Sequence, residues 1–485
     1  MARVVILGAG VSGHTAAMVL RKKLSREHDV VVVTPNRRWN WIPSNIWVGV
    51  GLMGKDDVTF ELAPIYERLG IDYRQAKGVE LHPEGAGDAK HPFVTVEYTS
   101  DAQRGVREDL AYDYLINATG PKLNFAATPG LGPEGNSLSV CTFDHAAQTA
   151  EALRAAIERM KGGEKLTFVV GTGHGTCTCE GAAFEYVFNL EFEIRNAGVR
   201  DAARIVFLTN EAELGDFGVD GLQIQRGGYV VPSRSFAESL FVERGVEWIV
   251  GAHVSRVDPR EVQYETLDGE MHTLAFDFAM LLPPFTGVGL RAVDRAGEDI
   301  TAKLFAPNGF MRVDADYTAK PYEEWKARDW PKTYQSPLYG NVFAVGIAFA
   351  PPHALSRPRK TKNGTVVAPA PPRTGMPSGI MGRTVALSIA DMITKGATSP
   401  TRHASMGEMG AACVASAGVG FWKGTAVSMT MFPVVPDYEK YPEAGRDLRH
   451  TVGEIGSAGH WIKRILHHLF IYKAKARPGW WMIPE

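Results

Sequence analysis

The sequence predicts an α/β protein with two dinucleotide-binding units in tandem and a C-terminal region of different composition. At the N-terminus, and again from residue 168, an apolar segment runs into a glycine loop and then into a helical stretch. A second apolar segment follows each of these units, which is the strand–helix–strand order of a parallel sheet. The tail is distinct, because it combines an amphipathic stretch with basic residues and two tryptophans.

The composition is that of a folded globular chain with several domains. The chain has 485 residues, of which 45% are hydrophobic and 22% charged. Its 52 Lys and Arg nearly balance its 54 Asp and Glu, so we expect no nucleic-acid partner, which would need a basic domain. The N-terminus enters a strand directly, so no secretory signal is predicted. No charge-free apolar run reaches the ~18–20 residues of a spanning helix.

The first glycine loop carries Gly8, Gly10 and Gly13 in the spacing G-x-G-x-x-G, directly after an apolar strand. The first glycine permits the turn, the second lets the backbone approach a pyrophosphate, and the third lets helix and strand pack closely. The helix then directs N–H groups and a positive dipole end at the phosphates. The next strand ends at Thr34, where many dinucleotide sites have an acidic residue. A dinucleotide cofactor is predicted at this loop.

Later segments are predicted to return to the first unit. "DYLINATGPKL" is an apolar strand that runs into a glycine turn, and "NVFAVGIAFAPP" is another. A helix is predicted from about Met376. The cofactor-binding residues predicted on these segments are Ala118, Thr119, Gly120, Gly346, Arg373, Thr374 and Gly375. Residues 317–337 are expected to form a polar surface insertion, and 353–372 a loop rich in proline and basic residues.

The second glycine loop departs from the pattern of the first. "FVVGTGHGTCTCEG" has Thr176 in place of the third glycine, and it places Cys177 and Cys179 where the helix begins. Thiols at this entrance argue against a nicotinamide nucleotide. A cysteine at a helix N-terminus has a lowered pKa and gains thiolate character. The two cysteines of this loop are therefore candidates for thiol redox chemistry, and buried apolar side chains are the alternative.

Together these segments resemble the sulfide:quinone oxidoreductase family, within the two-dinucleotide-binding flavoproteins of the disulfide reductase group. "ATGPKL" is similar to the flavin-domain signature of that family, and "RTGMP" to the turn before its flavin-facing helix. "SVCTFDHA", "TCEGAAFEY" and "AACVASAGVGFW" are similar to the three segments that carry the family's cysteines. The resemblance covers most of the chain. It selects Cys141, Cys179 and Cys413.

The resemblance implies two Rossmann-like dinucleotide-binding domains in tandem plus a C-terminal amphipathic membrane-anchoring region. The FAD-binding domain is expected in residues 1–120 and 286–395, and the second Rossmann-like domain, of the NAD type, in residues 121–285. Residues 396–485 are then the quinone and membrane-interface region. The implied cofactor is FAD, the electron donor is sulfide, and the acceptor is a membrane quinone. Zero-valent sulfur or polysulfide is the implied product.

The resemblance also implies roles for single residues. Cys179 and Cys413 are expected to form the redox-active pair beside the flavin, and Glu185 is a candidate proton acceptor or relay. Cys141 either bonds the flavin, carries sulfur, or is a buried apolar side chain. Cys177 has no counterpart and is expected to be spare. The candidate ligands of the quinone ring are aromatic side chains, which sandwich a planar ring well: Phe421, Trp461 and Phe470.

Some residues depart from the family pattern. Ile347 stands where many relatives have an Asp that reaches the flavin, and Arg373 replaces a Lys. Asp216 occupies a place where well-known members have a His with a proposed acid/base role. No metal site is predicted, because the four cysteines lack paired C-x-x-C spacing and no clustered His completes a set.

The tail predicts an amphipathic helix with two faces. Ile462, Ile465, Leu466 and Leu469 share one face, and the basic residues Lys463, Arg464, His467 and His468 share the other. This pattern is typical of an in-plane membrane anchor, and a helix docked on the core is the alternative. We expect a peripheral, monotopic protein of a prokaryotic cell membrane. The resemblance is also compatible with a homo-oligomer.

Two other functions remain open from the sequence. A type II NADH:quinone oxidoreductase would use the second glycine loop for NADH. The lost third glycine, the cysteines, and the acidic segment "NEAELGD" after the next strand argue against it. A sulfur-binding flavoprotein subunit without catalytic activity is the other alternative, and it predicts no turnover driven by sulfide.

Overall fold

The computed structural model describes residues 1–87, 90–178, 180–372, 374–418 and 424–485. Three of the predicted site residues, Cys179, Arg373 and Phe421, lie outside the described residues. The helices of the described part are α1 (Val11–Lys23), α2 (Asn45–Gly49), α3 (Lys55–Val58), α4 (Ala63–Leu69), α5 (Phe143–Lys161), α6 (Glu180–Asn196), α7 (Ser233–Arg244), α8 (Thr301–Leu304), α9 (Gly375–Lys395) and α10 (Ser457–Ala474).

The strands of the first half of the described chain are β1 (Arg3–Leu7), β2 (Asp29–Thr34), β3 (Arg38–Asn40), β4 (Thr59–Glu61), β5 (Asp72–His82), β6 (Phe93–Tyr98), β7 (Arg107–Ala111), β8 (Tyr114–Asn117), β9 (Lys122–Leu123), β10 (Leu166–Thr172), β11 (Ala203–Leu208), β12 (Gln223–Arg226) and β13 (Tyr229–Pro232). Those of the second half are β14 (Glu247–Ile249), β15 (His253–Asp258), β16 (Glu261–Glu265), β17 (Met271–Ala275), β18 (Phe278–Leu282), β19 (Phe285–Thr286), β20 (Arg291–Ala292), β21 (Val342–Ala344), β22 (Arg359–Lys360), β23 (Val366–Val367), β24 (Ala411–Ala417), β25 (Thr425–Met431) and β26 (Gly453–Ile455).

The larger sheet has a parallel centre in the order β21–β8–β1–β2–β5, continued antiparallel by β6 and β7. Its two central strands are runs of buried Val, Ile and Leu, as expected for a parallel sheet that is covered on both faces. Helix α1 packs closely on α9, since a Cβ on Gly382 would lie 2.2 Å from the carbonyl oxygen of Ser12. Only glycine allows this approach.

A second sheet is parallel throughout, in the order β14–β11–β10–β18. Strand β10 ends in the second glycine loop, and the chain then enters α6 at Glu180. Each predicted glycine loop therefore connects a central parallel strand to a helix. The predicted α/β fold is confirmed.

The C-terminal region forms an antiparallel sheet, β24–β25–β26, with α10 packed on it. Gly459 of α10 is so close to this sheet that a Cβ there would lie 3.0 Å from the Cβ of Ala426. Polar contacts hold the same helix: His460 bonds to Ser416 Oγ at 2.6 Å, and His467 to Ser44 Oγ at 2.8 Å. No described helix is both long enough and apolar enough to cross a bilayer.

The structure shows which face of the predicted amphipathic helix turns towards the protein. Lys463 and His467, from the predicted basic face, point towards the protein and make buried contacts there. The apolar side chains Ile462 (51% exposed), Ile465 (54%) and Leu469 (41%) are exposed, as is His468 of the predicted basic face. The contacts of α10 on the protein side are therefore polar.

The expectation that residues 317–337 form a polar surface insertion was wrong in part. Trp330 and Tyr334 within this segment are fully buried. The Trp330 indole donates a hydrogen bond to His353 at 2.8 Å, and the Tyr334 hydroxyl donates one to the carbonyl oxygen of Ala404 at 2.7 Å. The two aromatic side chains anchor a segment whose average composition is polar.

Candidate functional site

The carboxyl ends of four neighbouring parallel strands meet at one edge of the larger sheet. Gly8 follows β1, Thr34 ends β2, Ala118 follows β8, and Gly346 lies two residues after β21. Ligands of open α/β sheets bind at this edge. The structure therefore brings together the predicted cofactor segments of the first unit.

The glycines of this edge have the geometry of a cradle. Gly8 has a φ of +98°, and a Cβ there would lie 2.2 Å from the carbonyl oxygen of Ala118. A Cβ on Gly13 would lie 2.1 Å from the carbonyl oxygen of Gly8, so the start of α1 packs against the loop. A Cβ on Gly10, by contrast, would meet no described atom within 4 Å. Of these three glycines, Gly10 is therefore the one with open space beside it, and this is where a pyrophosphate would approach.

The start of α1 is suited to an anion. Its first turn has no acidic residue, and its N-cap, Gly10, has no side chain that could accept from the helix N–H groups. Helix N-termini of this kind leave N–H donors and a partial positive charge for a phosphate. Beside it, Thr119 donates a hydrogen bond to the Asn117 side chain at 2.8 Å, and Gly120 has a φ of +69°.

Two further glycines connect this cradle to α9. Gly346 has a φ of +65°, and a Cβ there would lie 2.2 Å from Ser12 Oγ. Thr374 is the N-cap of α9, and Gly375 is its first residue. A Cβ on Gly375 would lie 3.8 Å from the Trp41 ring and 3.9 Å from Pro43. The N-terminus of α9 therefore faces the loop that follows β3.

Cys413 lies on β24 at the N-terminal end of α6. A Cβ on Gly181, the second residue of α6, would lie 3.4 Å from Cys413 Sγ. Cys413 therefore lies beside the first turn of α6, and this turn follows Cys179 directly in the sequence. The pKa of the Cys413 thiol is raised to about 11, mainly by burial and further by the charge of Glu185, and Lys463 opposes the rise.

Glu185 lies one turn further along α6 and is buried. Its carboxylate accepts a hydrogen bond from the Lys463 ammonium and one from the Ser416 backbone N–H at 3.3 Å. Lys463 also donates to the carbonyl oxygen of Val414 at 3.1 Å. Burial raises the pKa of Glu185, and Lys463 opposes this.

Lys463 is a residue of this site that sequence reasoning missed. The sequence placed it on the basic face of the tail helix without a partner, and in the structure its side chain is only 12% exposed. A signal was present: His460, Lys463 and His467 recur at spacings of three and four residues, which places them on one helical face. Two buried polar contacts accompany it on β24, Ser416 to His460 and the Trp47 indole to the carbonyl oxygen of Ser416 at 3.0 Å.

Cys141 lies just before α5 and is half-buried. Its backbone N–H donates to Ser139 Oγ at 3.2 Å, and burial raises the pKa of its thiol to about 11. The neighbouring residue, Val140, packs against α6, because Gly49 is wedged between Val140 and the Tyr186 ring. The Cys141 segment therefore lies beside the part of α6 that carries Glu185.

Cys177 and Asp216 lie in buried surroundings. The Cys177 thiol is fully buried and donates to the carbonyl oxygen of Leu282 at 3.0 Å. Asp216 accepts from Ser356 Oγ and from the Gly218 N–H at 2.9 Å. Burial raises the pKa of Asp216 to about 6, and it raises that of its neighbour Glu211 to about 8, with the charge of Asp216 adding to the rise.

The aromatic candidates on α10 differ in their contacts. The Phe470 ring stacks on Trp41, with centroids 4.8 Å apart and planes 23° apart. Because Trp41 also lies next to Gly375, it links Phe470 to the start of α9. Trp461 is half-buried, and its ring packs edge-on against His460 at 5.7 Å between centroids.

Comparison with known proteins agrees with this geometry. Residues 2–321 match the family described as pyridine nucleotide-disulphide oxidoreductase. The chain belongs to this family. It is 27% identical over 474 residues to a sulfide-quinone reductase of Aquifex aeolicus, covering 97% of this chain and 91% of that protein. The crystal structure of the sulfide:quinone oxidoreductase from Aquifex aeolicus superposes with a TM-score of 0.74 and 26% identity, over 98% and 92% of the two chains.

A mouse mitochondrial sulfide:quinone oxidoreductase is 25% identical over 353 residues, which are 71% of this chain and 64% of that protein. The resemblance found in the sequence is confirmed. The protein is an oxidoreductase enzyme, and FAD is its cofactor. The open space at Gly10 and the uncapped start of α1 fit the pyrophosphate of FAD.

In the second glycine loop, the space beside Gly173 is occupied by other residues of the protein. A Cβ on Gly173 would lie 2.4 Å from the Leu131 side chain. The Thr128 hydroxyl donates to the carbonyl oxygen of Gly173 at 2.6 Å. The space above this glycine, where a nucleotide would approach, is occupied by the segment around Leu131.

Proposed function

We propose that this enzyme oxidises sulfide to zero-valent sulfur and passes the electrons through FAD to a membrane quinone. The observation that carries the proposal is the position of the Cys413 thiol at the start of α6, beside the buried pair of Glu185 and Lys463. The chain leaves Cys179 directly into this helix turn. The names of the Aquifex and mouse relatives support sulfide and quinone as the substrates.

The two cysteines supply the sulfur chemistry. Hydrosulfide attacks a disulfide between Cys179 and Cys413, so that one sulfur–sulfur bond breaks, a persulfide forms on one cysteine, and the other leaves as a thiolate with the electron pair. FAD, when bound, supplies the two-electron acceptor between this thiolate and the quinone. Overall, hydrosulfide loses two electrons and one proton and becomes zero-valent sulfur, and the quinone takes up these two electrons with that proton and a second proton from water.

Glu185 and Lys463 are proposed to hold and move protons for these steps. Burial favours the neutral carboxylic acid of Glu185, and the Lys463 ammonium favours the carboxylate. A carboxyl group whose pKa is raised by burial is a stronger proton acceptor than an exposed one, as a general base requires. Lys463 belongs to α10, so the pair connects the Cys413 side of the site to the C-terminal helix.

The exposed apolar face of α10 is proposed to rest on the membrane surface. Ile462, Ile465 and Leu469 point outwards. Ile42, which is 55% exposed, follows Trp41, whose ring stacks on Phe470 of the same helix. An in-plane helix that buries such a face in the headgroup region binds without spanning the bilayer. Quinone then has a short path to α9 along the Trp41 and Phe470 rings.

A type II NADH:quinone oxidoreductase is disfavoured by the second glycine loop. Leu131 fills the space above Gly173, and the Thr128 hydroxyl uses the adjacent carbonyl group. An incoming nucleotide would have to displace both segments. Sulfide is small and needs no such space.

The decisive experiment adds sulfide, and separately NADH, to the oxidised enzyme without oxygen and follows the flavin absorbance. We expect sulfide to bleach the flavin and a quinone to restore it. Bleaching by NADH and not by sulfide would instead identify an NADH dehydrogenase. Sulfur binding without turnover would identify the non-catalytic subunit.

Three cysteine variants test the mechanism. Cys179→Ser and Cys413→Ser should abolish turnover of sulfide, since each removes one partner of the disulfide. Cys177→Ser is the matched control, because a hydroxyl can still donate to Leu282, and it should remain active. Activity that survives in both of the first two variants would contradict the cysteine mechanism and leave the reaction itself intact.

A further inference from the structure

The peptide groups of the second glycine loop are hydrogen-bonded by side chains from other parts of the second domain. The Asn210 side chain donates to the carbonyl oxygens of Gly175 at 3.2 Å and Cys177 at 3.3 Å. His253 Nδ1 accepts from the Gly175 N–H at 3.1 Å. In a dinucleotide-binding loop the backbone N–H groups face the phosphates. Here the Gly175 N–H faces His253 instead.

The backbone of residues 368–370 joins the same loop from its other side. The N–H of Ala368 donates to Gly175 at 2.8 Å, and that of Ala370 donates to Cys177 at 2.9 Å. The Thr178 hydroxyl donates to the carbonyl oxygen of Ala370 at 3.2 Å. The segment that leads to Cys179 and the segment that leads to α9 are therefore paired.

Asn210 and His253 lie at the ends of two strands, β11 and β15. Asn210 is fully buried after β11, and its backbone N–H donates to Thr172 Oγ1 at 3.0 Å. His253 begins β15, where it lies opposite Glu265 of β16. An Nδ1 that accepts from an N–H carries no proton, so this contact requires a neutral imidazole of one tautomer.

We propose that Asn210 and His253 are positioning residues for the sulfide reaction, which fix residues 173–178 and thereby the approach of the chain to Cys179. The inference rests on the proposed function, in which Cys179 reacts with sulfide. Reactions between groups held by the protein depend steeply on geometry, and a misplacement of about 1 Å can cost about 100-fold in rate. The loop keeps the strand–loop–helix order of a nucleotide site. Its peptide groups are hydrogen-bonded to Asn210 and His253, next to the segment that carries the cysteines.

The test compares two variants of one residue. His253→Phe keeps a ring of similar size but has no acceptor, whereas His253→Asn keeps an acceptor near the position of Nδ1. We expect His253→Phe to lower kcat for sulfide-dependent quinone reduction about tenfold or more, with KM for quinone unchanged. His253→Asn should recover most of the loss. Asn210→Leu, which removes the donor, should resemble His253→Phe.

Hydrogen exchange gives a readout that does not depend on activity. The amides of residues 173–178 should exchange faster in His253→Phe and Asn210→Leu, and at the wild-type rate in His253→Asn. Val254→Ala is the control, because Val254 is fully buried on the same strand and its side chain makes none of the hydrogen bonds to the loop. Val254→Ala should lower the stability of the protein and leave the exchange rates of the loop amides and kcat within about twofold of the wild-type values.

The outcomes separate the two proposals. Unchanged kcat and unchanged loop exchange in His253→Phe, or equal losses in His253→Asn, would overturn the positioning role. A wild-type enzyme whose flavin is not bleached by sulfide would refute the proposed function. In that case the exchange rates still decide whether Asn210 and His253 fix the loop.

Discussion

Glu185 and Lys463, 278 positions apart in the chain, form an ion pair that is buried between α6 and α10. Their side chains are 9% and 12% exposed. Breaking such a pair by removing one partner leaves a buried charge without compensation, whereas removing both partners costs much less.

Lys463→Met should destabilise the protein by about 3–5 kcal/mol, the cost of an uncompensated buried charge. The double variant Glu185→Gln/Lys463→Met should recover most of this loss. Urea unfolding of the holoenzyme measures both values. Arg464→Met, the adjacent basic residue on α10, is the control and should change stability by less than about 0.5 kcal/mol. Equal stability of the single and double variants would show that the pair is not coupled.

The Cys413 thiol should be protonated at neutral pH in the reduced enzyme. Its pKa is raised to about 11, mainly by burial and further by Glu185, so its thiolate fraction should rise about tenfold per pH unit from pH 7 to 10. Glu185→Gln removes the negative charge, lowers the pKa of Cys413, and should speed its alkylation at pH 8. Lys463→Met should slow it. Peptide mapping by mass spectrometry resolves Cys413 from the other cysteines, and an unchanged rate in Glu185→Gln would contradict this electrostatic account.

The apolar face of α10 should determine membrane binding. Ile462→Glu/Ile465→Glu should weaken binding to lipid vesicles at least tenfold, because burying each isoleucine is worth about 1.5–3 kcal/mol. The fold should be unaffected, since both side chains are exposed. Val242→Glu is the control, because Val242 is 68% exposed on α7. Vesicle flotation measures binding, and equal flotation of all variants would exclude α10 as the contact.

Two glycines of the first loop should respond differently to alanine. Gly8→Ala should lower the thermal stability of the apoprotein, because Gly8 has a φ of +98° and a Cβ there would lie 2.2 Å from the carbonyl oxygen of Ala118. Gly10→Ala should leave the apoprotein stable, since no described atom lies within 4 Å of that Cβ, and it should weaken FAD binding by closing the approach of the pyrophosphate. Thermal unfolding of the apoprotein and FAD titration separate the effects. Undiminished FAD affinity in Gly10→Ala would place the pyrophosphate elsewhere.

The sequence by itself predicted the features that depend on local pattern. The apolar runs before Gly8 and Gly171 predicted two parallel strands with glycine loops, since buried parallel strands are continuous in hydrophobicity. The spacing of apolar and basic residues in the tail predicted that α10 is amphipathic, because residues three and four positions apart share a helical face. The order of the cysteines and their flanks indicated the family.

Only the tertiary structure decided which of those features meet. The spacing of α10 cannot tell whether its polar or its apolar face is buried, because that depends on the Glu185 carboxylate, which comes from a distant helix. Likewise, Cys413 reaches Gly181 only because β24 packs on α6. The Asn210 and His253 contacts with the second glycine loop have no local signature either. Each is a contact between segments far apart in sequence, and local periodicity contains no information about such partners.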